Sequence, residues 1–160
     1  MNKTFRQGAV GALLDEYEKV IVELQQLLND ITDEELLKVA DSKTTDHNCK
    51  SIQTILNHVV MSGYAYAIYI QNLKGNKMGA PSTSLHSSIK EYQKELNDVF
   101  TFTTATFATI KDNELEECDN NKKLITSWGQ LYDIEQITEH AIVHILRHRR
   151  QIEKFKFALR

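Results

Sequence analysis

One stretch near the C-terminus indicates a helical protein most directly: Glu139-His140-Ala141-Ile142-Val143-His144-Ile145-Leu146-Arg147-His148-Arg149-Arg150-Gln151. Its three histidines stand four residues apart, and a helix brings residues at that spacing onto one face, about 6 Å apart. Two imidazoles placed in this way can share one divalent metal, as in helical zinc sites. The stretch therefore predicts a long helix with metal ligands on one face.

Three further long helices are predicted upstream of this stretch, which gives an all-α four-helix bundle. The first helix runs from about Gln7 to Leu28, the second from Ser51 to Lys74, and the third from about Leu85 to Lys111. The fourth begins at Asp133 and ends near Phe157. At 160 residues, a single domain over 1–160 is the simplest organisation.

Capping signals and polar loops separate these helices. Ser51, Ser84 and Asp133 are candidate N-caps, and Gly75 is a candidate C-cap of the second helix. Thr32 opens a capping box that predicts a short helical turn. The predicted loops are 41–50, then 75–84, which includes Pro81, and a long connection 113–132 before the last helix, with a short extended piece at 124–129.

Composition narrows the possible functions. Nineteen basic against 22 acidic residues give a net charge of −3, which argues against a nucleic-acid-binding domain. No apolar run approaches the ~20 residues of a membrane span. The segment after the charged N-terminus is too weakly apolar for a signal peptide. Cys49 and Cys118 form no disulfide framework, so we expect free thiols and a cytoplasmic protein.

A helical wheel places the three histidines of the last helix together on its core-facing side. They lie within an arc of about 140° at 100° per residue, and the arginines and Lys154 fall outside it. A buried histidine must satisfy two ring nitrogens, so three on one face indicate a shared purpose. His140 and His148 are roughly 12 Å apart along the axis, so an adjacent pair must hold the ion. His58, on the flank of the second helix, is the candidate third ligand.

The separated motifs resemble the DinB/YfiT-like superfamily, whose members end in a His-x-x-x-His-x-x-x-His-Arg-x-Gln pattern. The last helix matches this pattern at His140, His144 and 148–151, and the segment 51–64 is similar to the family's second helix. The resemblance implies a divalent metal, commonly nickel or zinc, on His58, His144 and His148. His140 would then lie beside the site. Arg150 departs from the glycine of many relatives.

The other candidate residues give weaker evidence of a functional role. His47 and Cys49 could bind zinc but lack a second pair of ligands, and a plain loop cysteine is the simpler interpretation. Glu139 falls on the outer side of the last helix, where we expect a surface role. Three aromatic residues could belong to the core or could line a pocket over the metal: Tyr66, Tyr69 and Trp128.

Two functions remain open. A metal held by three imidazoles keeps open positions for chemistry, and the resemblance implies an enzyme that acts on a small molecule or thiol, as a thiol transferase or hydrolase. The alternative is a non-catalytic, stress-associated metal-binding or ligand-binding bundle. In either case protonation should release the metal toward pH 5 if the histidines have an unperturbed pKa of ~6.5.

A homodimer is also predicted. Ile142, Val143 and Leu146 form an apolar patch opposite the histidine arc, with a charged rim. A patch of this kind can meet its own copy across a two-fold axis. The alternative is that the connection 113–132 covers the patch within one chain.

Overall fold

A computed structural model describes residues 4–80 and 82–160. Met1 to Lys3, the charged N-terminus considered above, and Pro81 lie outside the described residues. The helices are α1 (Gly8–Leu28), α2 (Asp33–Leu37), α3 (Ile52–Leu73), α4 (Ile89–Phe107) and α5 (Ile134–Ala158). Two short strands, β1 (Leu124–Ile125) and β2 (Leu131–Tyr132), form an antiparallel hairpin before α5.

The four long helices form a ring in which each packs on two others. Helix α1 contacts α4 and α5, and α3 contacts the same two from the opposite side. Apolar residues of all four helices fill the centre, including Tyr17, Leu24, Leu56, Leu96 and Ile137, each at most 2 % exposed. The predicted all-α four-helix bundle is confirmed.

Most predicted helix ends are confirmed by their caps. The Ser51 hydroxyl accepts from the Thr54 amide at 3.1 Å and begins α3, and Asp133 accepts from the Gln136 amide at 2.8 Å and begins α5. Gly75 follows α3 with a φ of +92°, a conformation that a side chain would strain. These caps fix where the histidine-bearing helices start.

The predicted start of the third long helix was wrong. Ser88, not Ser84, is the N-cap of α4, and the helix ends at Phe107 instead of Lys111. The Ile89 amide donates to Asp33 at 2.8 Å, and the His86 carbonyl accepts from Gln53 at 2.8 Å. These tertiary bonds hold the chain extended where the apolar periodicity alone predicted a helix.

The approach of α3 to α4 depends on one small residue. A Cβ at Gly63 would lie 2.5 Å from Val99 Cγ1, well inside contact distance. Any larger residue would push α3 away from α4 at this crossing. Because His58 lies five residues earlier on α3, Gly63 also helps to set the position of that histidine.

The apolar patch on α5 is less exposed than the sequence predicted. Ile142 and Leu146 are partly buried and pack against the core, and only Val143 is largely exposed, at 61 %. The N-terminal half of α1 lies alongside, and the two helices share one shallow groove with an apolar floor and an acidic border. It is lined by Ala9, Ala12, Leu13, Ile142 and Val143 and by Glu16, Glu135 and Glu139. The expectation that this whole side of α5 faces water was wrong, because α1 covers part of it.

Candidate metal centre

Helices α3 and α5 bring three histidines together where they pack. His58 lies in the second turn of α3, and His144 and His148 lie on successive turns of α5. The His58 and His144 Nε2 atoms are 3.0 Å apart, and one nitrogen from each of the three rings lies within 4.8 Å of the others. The structure therefore brings together the three residues that the sequence singled out.

The distance between His58 and His144 suits a shared metal ion. Two nitrogens bonded to one ion at ~2.0–2.1 Å stand about 2.9 Å apart at 90° and about 3.4 Å apart at a tetrahedral angle. The His58–His144 separation of 3.0 Å falls within that range. Among the residues that the structure describes, no other group of histidine, cysteine or carboxylate side chains meets in this way.

Gln151 sets the orientation of His148. The Gln151 Oε1 atom can only accept, so the 3.1 Å contact requires the His148 Nδ1–H to donate to it. The Nε2 atom of His148 then carries a lone pair, and it is buried with no hydrogen-bond partner among the described residues. A buried unpartnered nitrogen is costly unless it binds something. The buried lone pair of His148 Nε2 is therefore the feature of the site that best matches a bound metal.

The three histidines are held in the neutral form that a metal requires. Burial, then the neighbouring histidines, lowers the pKa of His144 to about 2. Burial and the proximity of His58 lower the pKa of His148 to about 4. The pKa of His58 is lowered as well, mainly by burial. At neutral pH all three rings therefore offer lone pairs without first losing a proton.

Two clefts open onto the histidines from different sides. A basic cleft of about 710 Å³ contains His58 and His148, and an aromatic cleft of about 660 Å³ contains His58 and His144. Both volumes are typical of small-molecule sites. The histidine centre thus forms part of the wall between two spaces that a ligand can reach.

The structure shows whether each of the three aromatic residues belongs to the core or lines the aromatic cleft. Trp128, in the hairpin turn, stacks on His140 with ring centroids 5.4 Å apart and is 45 % exposed. Tyr66 is buried and contacts both His140 and His144 edge-on. The Tyr69 hydroxyl oxygen accepts from the Ser127 amide at 2.8 Å and so holds the hairpin turn against α3. Tyr66 therefore serves core and cleft together, and Trp128 belongs to the cleft.

Three nearby residues were missed or misplaced by the sequence analysis. Arg147 lines both clefts, although the helical wheel put it outside the histidine arc. It falls only about 20° beyond the edge of that arc, and a long side chain covers that difference. Asp46 and Tyr132 also lie near the histidines, and no local pattern pointed to them.

Among the described residues, His47 and Cys49 do not form a second metal site. His47 is exposed in a short 3-10 turn, whereas Cys49 lines the basic cleft and its thiol donates to Gln151 Oε1 at 3.7 Å. Burial raises the pKa of the Cys49 thiol, which disfavours a reactive thiolate. Glu139 is exposed, which confirms its surface position.

Comparison with known families supports the resemblance. The family model described as the DinB family matches residues 1–154. The chain belongs to the DinB family. The predicted boundaries of a single domain, 1–160, stay a prediction beside this match.

A solved structure shows the same fold. The crystal structure of a conserved protein from Enterococcus faecalis aligns with this DinB protein at a TM-score of 0.65 and 11 % identity, covering 96 % of this chain and 98 % of the other. At that identity the likeness concerns the fold alone. No protein among the curated sequences matches the chain. None of the described helices has the length and apolar character needed to cross a membrane.

Proposed function

We propose that this DinB protein binds one divalent metal, nickel or zinc, through His58, His144 and His148, and uses it as an enzyme on a small molecule, in thiol transfer or hydrolysis. The observation that carries the proposal is the convergence of three neutral imidazoles at the wall of two open clefts. Imidazole nitrogens suit both metals. Three protein ligands are typical of catalytic sites and four of structural ones.

A metal held here would keep its positive charge and open positions, and would polarise a carbonyl or favour the thiolate form of a bound thiol. The chain's own residues supply the rest of the site. Gln151 fixes the ring of His148, and Tyr66 limits access to His144 from the aromatic side. Burial raises the pKa of Tyr66 to about 12, so its hydroxyl stays a neutral donor.

His140 is the candidate proton acceptor. The single Tyr132 hydroxyl hydrogen is donated to Gln130 Oε1 at 2.7 Å, so in the 3.4 Å contact with His140 the imidazole Nδ1–H must be the donor. The Nε2 atom of His140 is then free to accept a proton. Its pKa is lowered, chiefly by burial, so the ring is neutral at pH 7.

The test is an activity measurement on protein with known metal content. Purified protein should contain one metal per chain, and a screen with low-molecular-weight thiols and small electrophiles or esters should show turnover that a chelator abolishes and added metal restores. His140→Phe should keep the metal and lower kcat by about 10² or more. Turnover that is unaffected by complete metal removal would contradict the proposal.

One observation favours the non-catalytic alternative. The three histidines lie on α3 and α5, so a bound metal would cross-link two helices and stabilise the fold. A stress-associated or ligand-binding role would need nothing more. Metal-loaded protein that is strongly stabilised but turns over no substrate in the screen would favour this alternative over the enzyme.

We also propose a homodimer that uses the outer side of α5. Val143 is an exposed apolar residue of the groove between α1 and α5, so Val143→Glu should place a further negative charge in the contact and convert a dimer to a monomer. Light scattering on wild type and variant would measure this, with Lys90→Gln on the exposed side of α4 as a control away from the groove. A monomeric wild type would rule the dimer out, and a dimer unaffected by Val143→Glu would place the contact elsewhere.

A cytoplasmic location remains a proposal. Cys49 and Cys118 are both free thiols in the structure. Free cysteines are common in reducing compartments, and Cys118 is exposed to solvent. Fractionation of cells that express the tagged protein would test the location.

A further inference from the structure

The basic cleft is lined by cations that have no ion-pair partner among the residues that the structure describes. Arg147, Arg150 and Lys154 stand three and four residues apart on α5, which puts them on one side of the helix, and all three line the cleft beside His58 and His148. Among the described residues, none of the three forms an ion pair. The one carboxylate that lines this cleft is Asp46.

Neighbouring basic residues on the same helix behave differently. Arg149 pairs with Glu23 and Glu153, and Lys156 pairs with Asp30 at 3.0 Å. Arg149 and Lys156, which are partly buried, are therefore neutralised, while the three exposed cations that line the basic cleft have no ion pair among the described residues. Like charges at this spacing repel each other and weaken a helix, so a cluster of three unpaired cations needs an explanation.

The helix dipole explains only part of the cluster. Cations in the last turn of a helix are stabilised by the carbonyl ends, and that applies to residues near Ala158. Arg147 lies in the middle of α5, beyond the reach of this effect. Its charge acts on the site directly, since it adds to burial in lowering the pKa of His58 and of His144.

Arg147 also connects the two clefts. It lines the basic cleft and the aromatic cleft, as His58 does, so a group bound at Arg147 lies next to the histidine centre. The aromatic cleft beyond it is walled by Met61, Tyr66 and Trp128. The two spaces therefore offer complementary chemistry, cationic on one side and apolar on the other.

We propose that the ligand of this site carries an anionic group, a carboxylate or a phosphate, bound by Arg147, Arg150 and Lys154, with an apolar part in the aromatic cleft. Arginine matches both anions through paired N–H donors. The inference deepens the proposed function, since it names the substrate class of that same site. Its evidence is the set of residues that line the two clefts, so it can also be tested without metal.

The experiment compares charged and uncharged probes of the same shape. Phenylacetate and phenyl phosphate are titrated against phenylacetamide and benzyl alcohol by calorimetry, with metal-loaded and metal-free protein. Trp128 is the sole tryptophan of the chain, so its fluorescence reports occupancy of the aromatic cleft. We expect at least one anion to bind about tenfold or more tightly than the uncharged probes, with or without metal, and more weakly as salt is added. The stronger anion identifies carboxylate or phosphate.

Variants locate the binding. Arg147→Gln should weaken the anion about tenfold or more, and Lys154→Gln should weaken it less, because a lysine offers no paired donors. Lys156→Gln, two residues further on and already paired with Asp30, is the matched control and should have no effect. All variants are compared at measured metal content and unchanged helical signal.

The outcomes separate this inference from the proposed function. Anions that bind no better than the uncharged probes would overturn the inference, as would anion binding that requires the metal and is unchanged in Arg147→Gln. Protein that holds no metal but binds anions through Arg147 would overturn the metal proposal and support the anion site.

Discussion

His144→Ala is expected to abolish stoichiometric metal binding while the bundle stays folded. His144 is central to the triad, with its ring centroid 4.9 Å from that of His58 and 4.5 Å from that of His148. If an imidazole contributes roughly 3–4 kcal/mol of a total of ~10–16 kcal/mol, its loss weakens affinity by about 10²–10³. Alanine suits a helix interior, so α5 should persist. Elemental analysis after dialysis and circular dichroism would measure the two effects.

His140→Ala is the matched control, one turn earlier on the same face of α5. Its ring stacks under Trp128 and lies 6.2 Å from the His144 ring, so it should keep one metal per chain. The decisive contrary result would be a triple alanine variant of His58, His144 and His148 that still held one metal tightly. Equal metal loss in His140→Ala would instead show that the ligand pair on α5 was wrongly chosen.

Local patterns predicted much of this histidine cluster because its main elements are periodic. The spacing of His144 and His148 fixes their shared face once α5 is helical, and the capping boxes at Ser51 and Asp133 fix the starts of both helices. His58 needed more, since nothing local says which helix packs on α5. It was chosen because the pair on α5 needs a third ligand, and the family resemblance implied the same residue. The packing of α3 on α5 now brings it to the pair.

The surroundings of the triad were harder to predict because they depend on contacts between distant segments. Cys49 and Gln151 are 102 residues apart in the chain, yet they share one hydrogen bond. Trp128 reaches His140 only because β1 and β2 pair and turn the hairpin toward α5. The predicted start of α4 was wrong for the same reason. Ser84 and Ser88 are equally good caps, and the bond that the Ile89 amide donates to Asp33 decides between them.

Metal should raise the melting temperature by roughly 8–16 °C at neutral pH. Free metal at 1,000 times its Kd stabilises by ~4 kcal/mol, and each kcal/mol shifts the Tm of a chain this size by ~2–4 °C. The lowered pKa values of His148, about 4, and His144, about 2, delay proton competition in the folded protein. The gap between metal-loaded and metal-free protein should therefore persist at pH 5 and close only toward pH 4, lower than unperturbed histidines would give.

Both preparations should nevertheless lose stability as the solution is acidified. Because the folded pKa of His148 lies below the unfolded value of ~6.5, the unfolded chain binds more protons in between, so this contribution is complete above ~6.5 and is lost as the pH falls toward 4. Thermal melts from pH 7.5 to 4, with metal content measured at each point, would show both trends. His144→Ala should show no gap at any pH. Equal melting temperatures at neutral pH, with the metal confirmed in one sample and absent from the other, would mean that the metal does not hold α3 and α5 together.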